Sequence, residues 1–313
     1  MTPEEKFLFD LNGYYVVRGA LTAEEVSALN GAVDEHASEA VSRSSSTLRN
    51  AASESAFGDQ GARRDLGGML RWDQDGFRKL LAHPKLAPYL CALCGEGYRL
   101  DHQPMVLLQN QGSEGFALHG GPLSGADGVP EGVFNPELQY RCVNGQPWNS
   151  LLAMAVHLVD APEGAGGFCV VRGSHKLNFA MPTHFASGKD RSFSDTFADQ
   201  PITKAGDVLF FSEATVHGAK PWKMPYERRL ALYRFAPPNF AYGRGYLQDN
   251  WGIQDDILNK CTPAQRAVIA PPYAPRLDRP VTNGLGDDGT PDIIKRHPDK
   301  KKHDQAVFKT EFF

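Results

Sequence analysis

From about residue 97 to residue 236 the chain is written in short apolar runs broken by Gly, Pro and Asn. QPMVLLQNQG, LLAMAVHLVD, GGFCVVRGSH, ITKAGDVLFF and LALYRFAP are the clearest of them. Short runs bounded by turn residues are strands, whereas a helix needs a longer stretch with helical periodicity. Many such strands in succession argue against repeated βαβ units and for an antiparallel sandwich or jelly roll. The expected class is mainly β with flanking helices.

The flanks read differently. Residues 7–35 give a short strand, GYYVVRG, and then a helix, LTAEEVSALNGAVDEHA, with apolar residues at helical spacing. Thr22 and Glu25 form a capping-box pattern at its start. Residues 76–95 also read as helical. Residues 40–64 are Ser-rich and weakly periodic, which predicts a loop or a partly mobile segment. Beyond residue 262 the chain is Pro-rich and then charged, ending in KRHPDKKKHDQ and a few further residues. This predicts an irregular extension, 262–313, to a single domain over 1–261.

With 33 basic and 37 acidic residues the net charge is −4, so nothing favours nucleic acid or an anionic membrane surface as a partner. The opening MTPEEKFLFD has no basic region followed by an apolar run, and no stretch approaches ~18 uninterrupted apolar residues. The expectation is a cytoplasmic protein. Its cysteines, Cys91, Cys94, Cys142, Cys169 and Cys261, are odd in number and do not suggest a disulfide framework. Cys91 and Cys94 form a C-x-x-C inside an apolar helical stretch. No second pair completes a zinc site, so they read as core packing.

Chemistry concentrates in three pieces: FALHGGP with His119, AGDVLFFSEATVHGAKPW with His217, and YERRLALYRF. The last begins with Arg228 and Arg229, 11 and 12 residues after His217. Two imidazoles and a carboxylate on one face of Fe(II) leave positions open for a co-substrate and oxygen. The first histidine and the carboxylate usually stand two residues apart on a strand, where side chains point the same way. A downstream arginine can grip the far carboxylate of a dicarboxylic acid through its planar fork.

In these pieces the sequence resembles the phytanoyl-CoA dioxygenase-like family of iron- and 2-oxoglutarate-dependent oxygenases. NGYYVVRGALTAEEV resembles that family's N-terminal strand and helix, and HLVDAPEGAGGFCVVRGSHK at 157–176 its Gly-rich turn and Gly-Ser-His-Lys segment. The resemblance spans roughly residues 7–236. It implies a double-stranded β-helix (jelly-roll, cupin-like) core, ferrous iron, 2-oxoglutarate, O2 and a small-molecule substrate. It places His119 and His217 at the metal, and Arg228 at 2-oxoglutarate with Arg229 as the fallback. The implied activity is hydroxylation with formation of succinate and CO2.

One position departs from the pattern. Where the family has Asp or Glu two places after the first histidine, this chain has Gly121. Glu213 is one candidate replacement. On a single extended strand it would lie ~13 Å from His217, but a turn between them would bring it inward. Asp127 and Glu131 are other donors, and a carboxylate that only hydrogen-bonds a histidine is the bland reading of Glu213. A second possibility is a halogenase, since related enzymes with Gly or Ala here let chloride bind the iron. A third is an inactive jelly-roll binding protein. His157 and His175 read as structural or pocket-wall residues. Trp148 and Trp222 read as either core or pocket wall.

Overall fold

The computed structural model describes every residue except 44–62, 114, 124–134, 136, 187–191, 243–254, 273–278, 286–290 and 310–313. Its strands are β1 (Tyr14–Val17), β2 (Val41–Ser42), β3 (Arg64–Leu66), β4 (Arg99–Gln109), β5 (Phe116–His119), β6 (Tyr140–Val143) and β7 (Gln146–Asn149). They continue with β8 (Leu152–His157), β9 (Gly167–Val170), β10 (Val208–Ser212), β11 (His217–Lys220), β12 (Arg228–Ala236), β13 (Arg279–Leu285) and β14 (Pro291–Ile294). A main sheet runs β1-β10-β8-β12-β4-β3-β2 and a small sheet runs β5-β11-β9, with β6–β7 and β13–β14 as separate hairpin pairs. All pairings are antiparallel.

Strands β8 and β10 are buried at every position, which explains their unbroken apolar sequences. Successive side chains leave by opposite faces. On the inner face Leu107, Ala153, Ala155, Leu209, Phe211 and Leu230 meet Phe168 and Val170 of the small sheet. On the outer face Met154, Val156, Val208, Phe210, Tyr233 and Phe235 pack with Leu29, Val33, Phe77 and Leu90 of the helices. The result is a mainly antiparallel jelly-roll core with flanking helices, the class expected.

Helix Ala23–His36 starts at Thr22 with both capping-box bonds formed. Three local readings are corrected. A helix over Pro3–Asn12, capped in the same way by Thr2 and Glu5, precedes β1. The stretch 76–95 is two helices, Gly76–Lys79 and Ala87–Cys94, with a 3-10 turn at Leu80–Ala82. Pro84 forces His83 out of the helical region (ψ 131°), and Pro88 opens the second helix. Cys94 is buried there, and burial pushes its thiol well up, as suits a packing residue.

The tail is not irregular throughout. Thr262 and Gln265 cap a helix over Pro263–Ile269, followed by the β13–β14 pair and a helix over Pro298–Phe308. Val268 and Ile269 join the main core, so a boundary at residue 261 cuts through packed structure. The Ser-rich segment falls largely within 44–62, outside the described residues. Among the described residues, no helix is long and apolar enough to cross a membrane.

Candidate functional site

His119 ends β5 and His217 begins β11, and pairing of the two strands sets these residues directly opposite each other. Their rings lie 4.2 Å apart, and His217 packs on Phe211 at 4.7 Å. Each ring is oriented by the carbonyl two residues upstream. His119 Nδ1 lies 2.9 Å from the Ala117 carbonyl and His217 Nδ1 2.7 Å from that of Thr215. A carbonyl only accepts, so each Nδ1 carries the proton and donates it, leaving the Nε2 lone pair available. Burial, and then the charge of His217, pushes His119 down to about 3; burial also lowers His217. Both imidazoles are therefore neutral near pH 7.

Glu213 is brought in by the expected turn. After β10 ends at Ser212, the Thr215 amide bonds back to the Ser212 carbonyl at 2.9 Å. The turn sets Glu213 Oε2 3.5 Å from His217 Nε2, while Oε1 accepts from Arg234 Nε at 2.6 Å. Burial alone would raise this carboxyl, but Arg234 and the histidines hold it at about 2. A carboxylate oxygen thus faces a nitrogen lone pair with no donor between them. That contact is repulsive without a cation. Among the described residues, no three His, Cys, Asp or Glu side chains form a complete metal-binding cluster. What the turn brings together is two imidazoles and an adjoining carboxylate that Arg234 also engages.

The glycines after His119 belong to the same arrangement. A Cβ on Gly120 would stand 2.6 Å from the Thr215 carbonyl oxygen and 3.0 Å from that of Glu213. Gly120 thereby makes room for the turn that carries Glu213. Gly121 has φ 98°, a conformation that disfavours any L side chain, so the absence of a carboxylate here matches the backbone. Asp127 and Glu131, the other candidate donors, lie outside the described residues.

Arg228 and Arg229 part company at the start of β12. Arg228 points to the inner face, is 4% exposed, and donates from Nη1 to Gln109 Oε1. Burial, and then the charge of Arg63, lowers it to about 10. Its side chain lies against Gly167, where a Cβ would come within 2.7 Å of Arg228 Nε. Arg229 points outward instead, to Asp34 at 2.6 Å, Glu227 at 3.0 Å and Asn30. It is not at the site, because neighbouring residues on a strand face opposite ways.

His119, Glu213, His217 and Arg228 share one cavity of about 710 Å³, walled by apolar side chains that include Leu107, Phe168 and Leu230. Arg63, Arg234, Phe116 and Tyr242 also line it and were not singled out from the sequence. Strand parity could have found Arg234, since Arg228, Leu230, Leu232 and Arg234 all line the cavity. His157 is buried with Nδ1 2.9 Å from Thr203 Oγ1, and His175 with Nε2 3.0 Å from the Asp10 carbonyl. Neither lines the cavity, nor do Trp148 and Trp222. Trp222 is wholly buried with Ala161 and Ala165, and Trp148 stands against Phe240.

Comparison with known proteins fits this geometry. Residues 9–229 match the family described as phytanoyl-CoA dioxygenase. No curated protein sequence matches. Among solved structures the chain is similar to HygX from Streptomyces hygroscopicus with nickel and 2-oxoglutarate bound. Identity is 22%, over 78% of this chain and 90% of that one, with a TM-score of 0.65. It is also similar to SnoN, a non-heme alpha ketoglutarate dependent epimerase from nogalamycin biosynthesis, at 20% identity over 92% and 96%, TM-score 0.55. The carbocyclase SnoK of the same biosynthesis matches at 16% identity over 88% and 94%, TM-score 0.51. At these identities the likeness is one of fold. The sequence match, which covers most of the chain and includes both histidines and Arg228, shows that the protein belongs to the phytanoyl-CoA dioxygenase family.

Proposed function

We propose that this protein is a non-haem Fe(II)- and 2-oxoglutarate-dependent oxygenase that hydroxylates a small organic substrate. Its co-substrates are 2-oxoglutarate and O2, and its co-products succinate and CO2. The observation that carries the reading is the pair of neutral, opposed imidazoles with their Nε2 lone pairs available and a carboxylate 3.5 Å from one of them. A cation resolves the repulsion in that arrangement, and Nε2 donors with Nδ1 held by carbonyls are what a metal-binding histidine needs. His119 and His217 hold the iron, with Glu213 Oε2 as the third donor. Iron with 2-oxoglutarate supplies the oxidising power when bound.

The chain's own residues bind and orient. Arg228 is a buried guanidinium whose side-chain partner among the described residues is a neutral amide, and a buried charge of this kind calls for an anion. The far carboxylate of 2-oxoglutarate meets that need through paired hydrogen bonds. The apolar walls exclude water around it. HygX binds 2-oxoglutarate with nickel, and SnoN binds alpha ketoglutarate with Fe3+, which supports the same pairing here.

Adding Fe(II) and 2-oxoglutarate without oxygen should give a visible charge-transfer colour, lost in His119→Ala. Absence of colour in the intact protein rejects the reading. With oxygen and substrate, succinate should form. An inactive binding protein would form none. Gly121 favours one second reading, a halogenase in which chloride takes the place of the missing carboxylate. Glu213 weighs against it, since a carboxylate and a halide compete for one position. Chlorinated product in chloride buffer, undiminished in Glu213→Gln, would favour the halogenase.

A further inference from the structure

Among the described residues, the cavity is lined by more positive charge than its lining carboxylates answer. Arg43, Arg63, Arg228 and Arg234 line it, against one lining carboxylate among the described residues, Glu213. Arg228 is already assigned to 2-oxoglutarate, and the other arginines need a separate account.

Arg63 and Arg234 each stand one group away from the histidine pair. The Arg63 guanidinium lies over the Phe116 ring, 5.3 Å from its centre, and Phe116 meets the His119 ring edge-on at 5.0 Å. Arg234 reaches His217 through Glu213. Neither arginine has its donors fully used. Arg63 gives Nε and Nη2 to Asp65, which Arg43 also engages at 2.6 Å. Arg234 uses only Nε. Among the described residues, Nη1 of Arg63 and both Nη groups of Arg234 have no acceptor, although the cavity walls beside them are largely apolar. Burial lowers Arg63 against the pull of Asp65, and the charges of Arg43 and Arg234 add to the lowering. Both guanidiniums line the one cavity, where their like charges oppose each other and an anion would relieve them.

We infer that the substrate of this site is an anion, whose carboxylate or phosphate oxygens are received by Arg63 and Arg234 beside the histidine pair. The inference deepens the oxygenase reading and rests on it for the word substrate. Planar forks hold such oxygens through directed hydrogen bonds, which would fix the position of the rest of the molecule. A cavity of about 710 Å³ falls in the range that takes small ligands. A cationic substrate would meet repulsion, and a neutral one would leave the forks unanswered.

The test compares matched probes, hexanoate, hexyl phosphate and neutral hexanamide, by calorimetric titration of the whole protein. Each is run with nickel(II) and 2-oxoglutarate present, and again with both absent. At least one anion should bind about tenfold tighter than the amide or better, the ratio that one charge-assisted hydrogen bond supplies. Whichever anion binds more tightly names the class. The preference should collapse in Arg63→Gln, persist in part in Arg63→Lys, and survive in Arg228→Gln without 2-oxoglutarate. If Arg63→Gln does not fold, Arg234→Gln reads the same ratio. Equal binding of all three probes overturns the inference. So does a preference lost in Arg228→Gln but kept in Arg63→Gln. A protein that gives the iron colour yet shows no preference loses this inference alone. One that gives no colour loses the oxygenase reading, while the probes without metal still decide whether the anion site exists.

Discussion

The outer face of the main sheet meets the helices through a broad apolar cluster. The charge that reaches it from β12, Arg229, is matched by Asp34 and Glu227. The inner face of the same strands meets the small sheet through a smaller cluster and then opens into the cavity. There the next residue along, Arg228, has a neutral amide as its partner, and the Nε2 of His217 faces a carboxylate with no proton between them. On β12 the outward charge is thus answered by carboxylates of the chain. On the inner face the imbalance is concentrated at one cavity, and such local imbalance is a mark of functional sites.

Substitutions can try to break this contrast. The largest separation is expected between His217→Ala and Leu90→Ala. The first should abolish turnover of 2-oxoglutarate to background with little change in Tm. The second removes a fully buried outer-face side chain and should cost about 2–5 kcal/mol of stability, leaving turnover per folded molecule intact. If His217→Ala unfolds the protein while Leu90→Ala abolishes activity without unfolding, the division between the faces fails.

The next effect is carried by neighbouring arginines. Arg228→Gln should weaken 2-oxoglutarate binding by about tenfold to a hundredfold, the loss of a charge-assisted pair. It should not lower Tm, because among the described residues the guanidinium it removes is buried without a carboxylate partner. Arg229→Gln should leave 2-oxoglutarate affinity unchanged and shift stability by at most about 1 kcal/mol. A reversed result, measured by titration and thermal unfolding, would put the co-substrate on the outer face.

The last effect is a slope in pH. Burial, and then the charge of Arg228, holds His157 at about 3; burial, and then Lys176, holds His175 at about 4; the ordinary value is 6.5. Between the lowered values and 6.5 the unfolded chain binds protons that the folded chain excludes, so stability rises with pH across that window. Tm should fall steadily on acidification below about pH 6.5. His157→Gln and His175→Gln should each flatten the slope. If neither does, the acid sensitivity lies with the cavity histidines, and stability and site are less separate than the two faces imply.

Much of this was legible because strand and helix periods are local. The apolar runs gave the sheets, Thr22 and Glu25 gave a helix start, and His119, His217 and Arg228 were named from their settings. Some misses were local too. The Thr2–Glu5 and Thr262–Gln265 capping boxes are in the sequence, and Pro84 announces the break in 76–95. The choice between Arg228 and Arg229 was open because two-residue alternation says that they differ in facing, but not which faces inward. Gln109, Arg63 and Phe116 carried no signal, because their roles come from strands that pair far apart along the chain.

By itself the sequence determined the element types, the family and the residues competent for a metal, because these follow from side-chain chemistry and short-range periodicity. Tertiary structure alone decided that His119 sits opposite His217, that the Ser212–Thr215 turn delivers Glu213 over Gly120, and that Arg63 and Arg234 line the same cavity as the histidine pair. The physical reason is that register and sheet packing are settled by burying both faces of the main sheet at once. No local stretch contains that condition.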